Sequence, residues 1–142
     1  MLCHSLMKTD VERVRASDSV RSAASKMRDR NIGFLPVCDE NERVVGTITD
    51  RDIVIRLVAD GHESGRAVAD AMTPEAVCCR PWDDVKRAQA LMGQHRKSRI
   101  MCVDDDGRLV GVISLSDIAR RGDPPLASET LRQVTAREVD LA

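Results

Sequence analysis

Two short stretches hold the residue types that could do chemistry, GTITDRDI at residues 46–53 and GVISLSDI at residues 111–118. Both read Gly, two residues, Thr or Ser, two residues, Asp, then an aliphatic. Thr49 and Ser114 fall where an apolar run gives way to a helical pattern, so each hydroxyl can cap the helix that follows. Asp52 and Asp117 then lie in the first turn, near the positive end of the helix dipole. One reading is structural: a capping box in which hydroxyl and carboxylate satisfy orphan N–H groups, worth about 1 kcal/mol. The other uses the same atoms on a ligand. Exposed N–H groups and a hydroxyl attract phosphate or base, and an ionised carboxylate accepts from both hydroxyls of a ribose. The pattern alone leaves both open.

Other constellations carry less. His4, His62 and His95 stand apart, and Cys78–Cys79 have no partner at zinc-site spacing, so no metal is expected. Cys3 and His4 sit at a terminus expected to fray, and Cys38 and Cys102 lie in apolar runs where Cys acts as a small hydrophobe. No nucleophile–base pair suggests an enzyme. The acidic run 104–106 lacks the spacing of a calcium loop and reads as a hairpin turn. The basic cluster at residues 95–99 reads as a solvated helix end, with Arg99 as an exception. Trp82 reads as a staple or core-edge packer, and Met27 and Met92 as core.

Composition narrows the class further. The 142 residues carry 22 Lys+Arg against 23 Asp+Glu, a net charge of −1, with 42% hydrophobic and 32% charged residues. That is globular, and near-neutral charge with one Trp, one Phe and no Tyr argues against a nucleic-acid binder. No apolar run approaches the roughly 20 residues of a membrane span, and the N-terminus does not resemble a signal peptide. Five cysteines, two of them adjacent, argue against a disulfide framework and for a reducing cytoplasm.

The elements that must position the two motifs are themselves duplicated. Residues 7–53 align with residues 72–118 without a gap, placing Asp18 on Asp83, Met27 on Met92, Gly46 on Gly111 and Asp52 on Asp117. Each repeat predicts the order β-α-β-β-α. Short β-prone segments at 11–15 and 77–79 precede helices at 19–30 and 82–95, capped by Ser17 or Asp18 and by Asp83. Val20, Ala23, Ala24 and Met27 form one apolar helix face, and Val85, Ala88, Leu91 and Met92 repeat it. Two apolar runs around an acidic turn form a hairpin, and the motif opens a second helix, at 50–59 and 115–121. The expected layout is a tail at 1–6, repeat 1 at 7–60, a linker at 61–71 with its surface part at 61–66, repeat 2 at 72–121, and a C-terminal segment at 122–142. Residues 122–125 should end the second repeat, and a helix at 128–139 capped by Ser128 should follow. The class is α+β, and duplication predicts packing about a pseudo-twofold axis with two symmetry-related clefts.

With FLPVCD before its turn, the paired terminal motifs and the Met-Thr-Pro opening at Met72, residues 7–121 resemble a tandem pair of CBS domains, a Bateman module. The resemblance implies adenosine-containing ligands (AMP, ADP, ATP or S-adenosylmethionine) in the clefts, no required cofactor, and pairing of two modules into a homodimer. It implies that Asp52 and Asp117 hold ribose hydroxyls, with Thr49, Ser114 and Ser116 near base or phosphate. Residues 9–14, including Thr9 and Val11, with Ile32 and Gly33, would line the Asp117 cleft. Residues 75–79 with Lys97 and Ser98 would line the Asp52 cleft. Arg99 stands where the family often places a phosphate-binding cation, whereas its counterpart is Phe34, with Arg51 in partial compensation. Met101 departs from the proline that Pro36 supplies in the first repeat. Two functions follow: a cytoplasmic nucleotide sensor acting on an unknown effector protein, or an assembly module with vestigial clefts.

Overall fold

A computed structural model describes residues 1–122 and 124–136. The chain opens with α1 (Cys3–Leu6), then β1 (Val14–Arg15), α2 (Val20–Arg30), β2 (Phe34–Cys38), β3 (Val44–Thr49) and α3 (Asp50–Ile53). A π-helical stretch, Val54–Val58, and a 3-10 turn, Val68–Asp70, close the first half. The second half runs β4 (Cys78–Cys79), α4 (Val85–His95), β5 (Arg99–Val103), β6 (Leu109–Ser114), α5 (Leu115–Arg121) and α6 (Pro124–Val134). The α+β order β-α-β-β-α occurs twice, as the repeat predicts.

Two compact units emerge. One is Glu12–Ala76, and the other joins Met1–Val11 to the chain from Val77 onward. In the first, β1 runs parallel to β2 and β2 antiparallel to β3, and Val14, Val20, Ala23, Leu35, Val37 and Ile48 form its core. In the second, β4, β5 and β6 repeat that topology around Ala88, Met92, Ile100, Cys102, Ile113 and Ile118. Each hairpin carries its register irregularity at the same place, between Val37 and Cys38 and between Cys102 and Val103. Its turn is closed by an aspartate: Asp39 Oδ1 accepts from Asn41 and Arg43 N–H, and Asp104 Oδ1 from Asp106 and Arg108 N–H. The acidic run is therefore a turn, and those N–H groups, Arg108 first, hold the Asp104 carboxyl below its ordinary range.

Several local expectations are corrected. The caps of α2 and α4 are Ser19 and Asp84, not the expected Ser17 or Asp18 and Asp83. Asp18 and Asp83 instead accept from the N–H of Arg15 and Arg80, closing the turn before each helix. Residues 1–6 are not frayed, because Cys3 and Leu6 are buried and Cys3 N–H donates to Asp83 C=O at 2.9 Å. The stretch 61–66 is exposed apart from half-buried Ser64, but its carbonyls are used: Arg66 and Ser64 accept from the first N–H groups of α2. The helix expected at 50–59 widens after Ile53, with Ala59 N–H reaching back to Val54 C=O. The last helix begins at Pro124, four residues before the expected cap. Proline lacks only an N–H that a first turn leaves unpaired anyway, so Pro124-Pro125 starts this helix rather than blocking it. Its expected end at Val139 lies outside the described residues. Trp82 is 70% exposed and stacks on His4, ring centroids 5.1 Å apart, so it packs on the surface and not at the core edge.

Candidate functional site

Both motifs build the capping box. Thr49 Oγ1 accepts from Asp52 N–H at 3.1 Å, and Asp52 Oδ2 accepts from Thr49 N–H at 3.0 Å. Ser114 Oγ accepts from Asp117 N–H at 3.1 Å, and Asp117 Oδ2 accepts from Ser114 N–H at 3.2 Å and from its hydroxyl at 2.8 Å. Each box uses Oδ2 and leaves the second carboxylate oxygen outside. A ribose diol would have to use that outer oxygen.

The glycine opening each motif has a separate task. An extra segment pairs with the motif strand at this point: Thr73 with Thr47 on β3, and Lys8 with Val112 on β6. A Cβ on Gly46 would collide with the Thr73 carbonyl oxygen, and one on Gly111 would lie 2.8 Å from Met7 Sδ and 3.0 Å from Lys8 O. At Gly46 glycine is required because another backbone passes too close for a side chain, whereas at Gly111 the Met7 side chain is nearest and the Lys8 backbone next. This pairing delivers residues that sequence reasoning missed. Lys8 Nζ reaches Asp117 Oδ1 at 3.6 Å. In the other unit, Arg56 Nη1 bonds Ala71 C=O, Met72 C=O and Thr73 Oγ1. The available signal was the repeat itself, which aligns Lys8 with Thr73 and Gly46 with Gly111.

In the second unit the ladder sets Arg99 opposite Ser114, and in the first it sets Phe34 opposite Thr49. Lys97, Arg99 and Ser116 are exposed, and Leu115 N–H donates to Ser98 C=O at 2.8 Å, which fixes the 97–99 segment beside the motif. Thr9 is exposed, and its carbonyl accepts from Val11 N–H at 3.0 Å. These residues belong to the same unit as Asp117. In the first unit, Gly33 C=O accepts from Asp50 N–H at 3.0 Å, which sets half-buried Gly33 and exposed Ile32 beside the Asp52 motif. Arg51 is exposed, its N–H bonded to Asp50 Oδ1.

Thiols gather elsewhere, in the second unit's core. Cys79 Sγ lies 3.8 Å from Cys3 Sγ and 3.5 Å from Cys102 Sγ, and all three residues are buried. Donation from the Cys102 and Cys79 thiols lowers the Cys3 pKa, and the Cys3 contact pushes Cys102 up to about 12. Burial pushes Cys78 up to about 11, and burial first, with smaller effects of nearby charges, pushes Cys38 to about 11 as well. Among the described residues no group of three or more His, Cys, Asp or Glu is placed to hold a metal ion. Nor is any helix among them long and apolar enough to cross a membrane.

Known proteins resemble this chain in sequence and in fold. The chain is 36% identical over 115 residues to the uncharacterized protein YlbB of Bacillus subtilis, covering 80% of this chain and 77% of that protein. It is 35% identical over 113 residues to the CBS domain-containing protein YhcV of the same organism, covering 80% and 79%. A conserved CBS domain protein of unknown function from Thermoplasma acidophilum, TA0289, superposes with a TM-score of 0.81 at 24% identity, over 94% of this chain and 75% of that one. CBSX2, solved in complex with AMP, superposes at 0.73 with 26% identity, over 84% and 93%. The CBS pair of MJ0100, solved with 5′-methylthioadenosine and S-adenosyl-L-methionine, superposes at 0.75 with 26% identity, over 84% and 94%. The CBS domain model matches twice, at residues 3–59 and 68–123, so the chain belongs to the CBS domain family and is a tandem CBS pair.

Proposed function

We propose that this CBS pair is a regulatory module, not an enzyme, that binds an adenosine-containing ligand through the outer carboxylate oxygens of Asp117 and Asp52. The observation that carries the reading is the geometry of the two boxes, each of which orients an aspartate through Oδ2 and leaves Oδ1 outside. Relatives of the same fold solved with AMP and with S-adenosyl-L-methionine support the ligand class. Arg99, across the ladder from Ser114, is the proposed phosphate contact, Ser116 is proposed to assist it, and Arg51 is its weaker counterpart at Asp52. Thr9, Val11, Ile32, Gly33 and Lys97 are the proposed base-side residues. Signalling runs through pairing of two copies to an effector protein. Val54, Ile55 and Val58, 55%, 50% and 63% exposed on one helical stretch, support such pairing. Five unpaired cysteines suit a cytoplasmic setting, and a net charge of −1 does not suit nucleic acid.

Melting temperature is the test, read against AMP, ADP, ATP, S-adenosylmethionine and NAD. A ligand at 100 times its Kd adds about 2.7 kcal/mol, a rise of several degrees. A shift with one ligand that vanishes in Asp117→Asn or Asp52→Asn supports the reading. A flat panel favours the second reading, a dimerisation module with unoccupied sites. One observation favours that second reading: the capping boxes already give the motif residues a structural task.

A further inference from the structure

The two half-sites are alike in their boxes and unlike in the charge beside them. In the second unit, Asp117 Oδ2 is committed to Ser114, and the remaining oxygen, Oδ1, faces Lys8 Nζ at 3.6 Å. The root of Lys8 is fixed. Its N–H donates to Val112 C=O at 2.9 Å, and its own carbonyl accepts from Val112 N–H at 3.0 Å. Its side chain is 72% exposed, while that of Asp117 is 13% exposed. Thus an exposed ammonium hangs from a fixed backbone over a fixed, largely buried carboxylate. The first unit provides an internal comparison. Thr73 occupies the equivalent bridge, bonded to Thr47 at 3.0 and 2.8 Å, and its hydroxyl accepts from Arg56. No lysine reaches Asp52 there among the described residues.

Resting on the nucleotide reading above, we propose that Lys8 is a specificity-determining residue: it holds the outer oxygen of Asp117 and yields it to a ribose diol only when the ligand brings an anion that takes the ammonium in exchange. A carboxylate oxygen engaged by an ammonium is a poorer acceptor for a hydroxyl, since both draw on the same lone pairs and charge. The exposed ion pair is weak and easily opened, so it does not block the site outright. What it does is charge-dependent. A neutral nucleoside displaces the ammonium and offers it nothing, a cationic sulfonium ligand repels it, and a nucleoside phosphate pairs with it. The half-site at Asp117 therefore selects adenosine phosphates over neutral or cationic adenosine derivatives. The half-site at Asp52, lacking this lysine, does not select by this device.

Isothermal titration at low salt tests this, with AMP and adenosine as probes against wild type, Lys8→Thr, Lys8→Arg and Asp117→Asn. The site in question is the one lost in Asp117→Asn. Wild type should prefer AMP over adenosine there by about tenfold or more, the scale of one charge-assisted contact. Lys8→Thr should shrink that preference to the part Arg99 supplies, weakening AMP and strengthening adenosine, and Lys8→Arg should keep it. An unchanged ratio in Lys8→Thr, or an equal loss for both ligands, overturns the role of Lys8 and leaves the nucleotide reading standing. Wild-type AMP affinity in Asp117→Asn overturns this inference and leaves the nucleotide reading to Asp52, whereas no binding of either ligand by wild type overturns both.

Discussion

Replacing the two motif glycines by alanine separates a backbone clash from a side-chain clash at matched positions. At Gly46 the new methyl would meet the Thr73 carbonyl oxygen and, at 3.3 Å, the Pro74 Cα. That carbonyl cannot turn away cheaply. It accepts from Thr47 N–H at 3.0 Å, Thr73 N–H donates to Thr47 C=O at 2.8 Å, and Arg56 braces the residues alongside. Admitting the methyl breaks both backbone bonds and slackens the Arg56 contact. At about 1 kcal/mol for each bond, Gly46→Ala should cost about 2–3 kcal/mol. At Gly111 the nearest atoms are Met7 Sδ at 2.8 Å and Cγ at 2.9 Å, the flexible end of a side chain, with Lys8 O next at 3.0 Å. Methionine can rotate aside, so Gly111→Ala should cost about 1 kcal/mol or less. Urea unfolding followed by circular dichroism measures both, and the Gly46→Ala loss corresponds to a fall in Tm of several degrees. Equal costs, or a larger cost at Gly111, would refute the claim that fixed backbone dictates Gly46 while a yielding side chain faces Gly111.

Three further outcomes follow from local features. Arg96 ends α4 in the left-handed region, at φ 54°, where its counterpart Asn31 ends α2. Arg96→Gly should therefore gain about 0.5–1 kcal/mol, read as a higher urea midpoint, after the entropy glycine adds to the unfolded chain. Gln89 is buried on α4, and its Nε2 has no hydrogen-bond partner among the described residues. Gln89→Met should stabilise by about 1 kcal/mol by removing that orphan donor, and a loss on thermal unfolding would show the amide has a use. Glu12 bonds Lys26 at 3.1 Å and Arg30 at 3.0 Å, Lys26 contributing most to holding its carboxyl below the ordinary 4.5. Its contribution is full above that value and lost as pH falls through the lowered folded value. The stability gap between wild type and Glu12→Gln should accordingly close in acid, and a gap constant from neutral pH to pH 3 would contradict the pairing.

The sequence carries periodic and duplicated features well, because they are local. Ala23 and Met27, or Ala88 and Met92, mark a buried helix face by spacing alone, and the paired apolar runs around DENE and DDDG mark hairpins. Where several residues compete for one task, spacing does not decide. Ser17, Asp18 and Ser19 can all cap, and only the folded turn assigns Asp18 to Arg15 N–H and Ser19 to the helix. Segments that pair across long stretches of chain were invisible for another reason. Nothing local in Met7-Lys8 says that it will lie beside Val112, so Lys8 was given no role and Arg99 alone was read as the cation near Asp117. The thiol group at Cys3, Cys79 and Cys102 is long-range in the same sense.

The central claim is that the outer oxygens of Asp117 and Asp52 recognise a ribose diol. Titrating wild type with AMP and with its 2′,3′-dideoxy analogue, then repeating both in Asp52→Asn/Asp117→Asn, tests it directly. Hydroxyl groups bonded to a carboxylate are worth about 1.5–3 kcal/mol each, so removing both should weaken binding by about a hundredfold or more. The double variant should lose that discrimination. Equal affinity of wild type for the two nucleotides, or discrimination that survives in the double variant, would contradict the account.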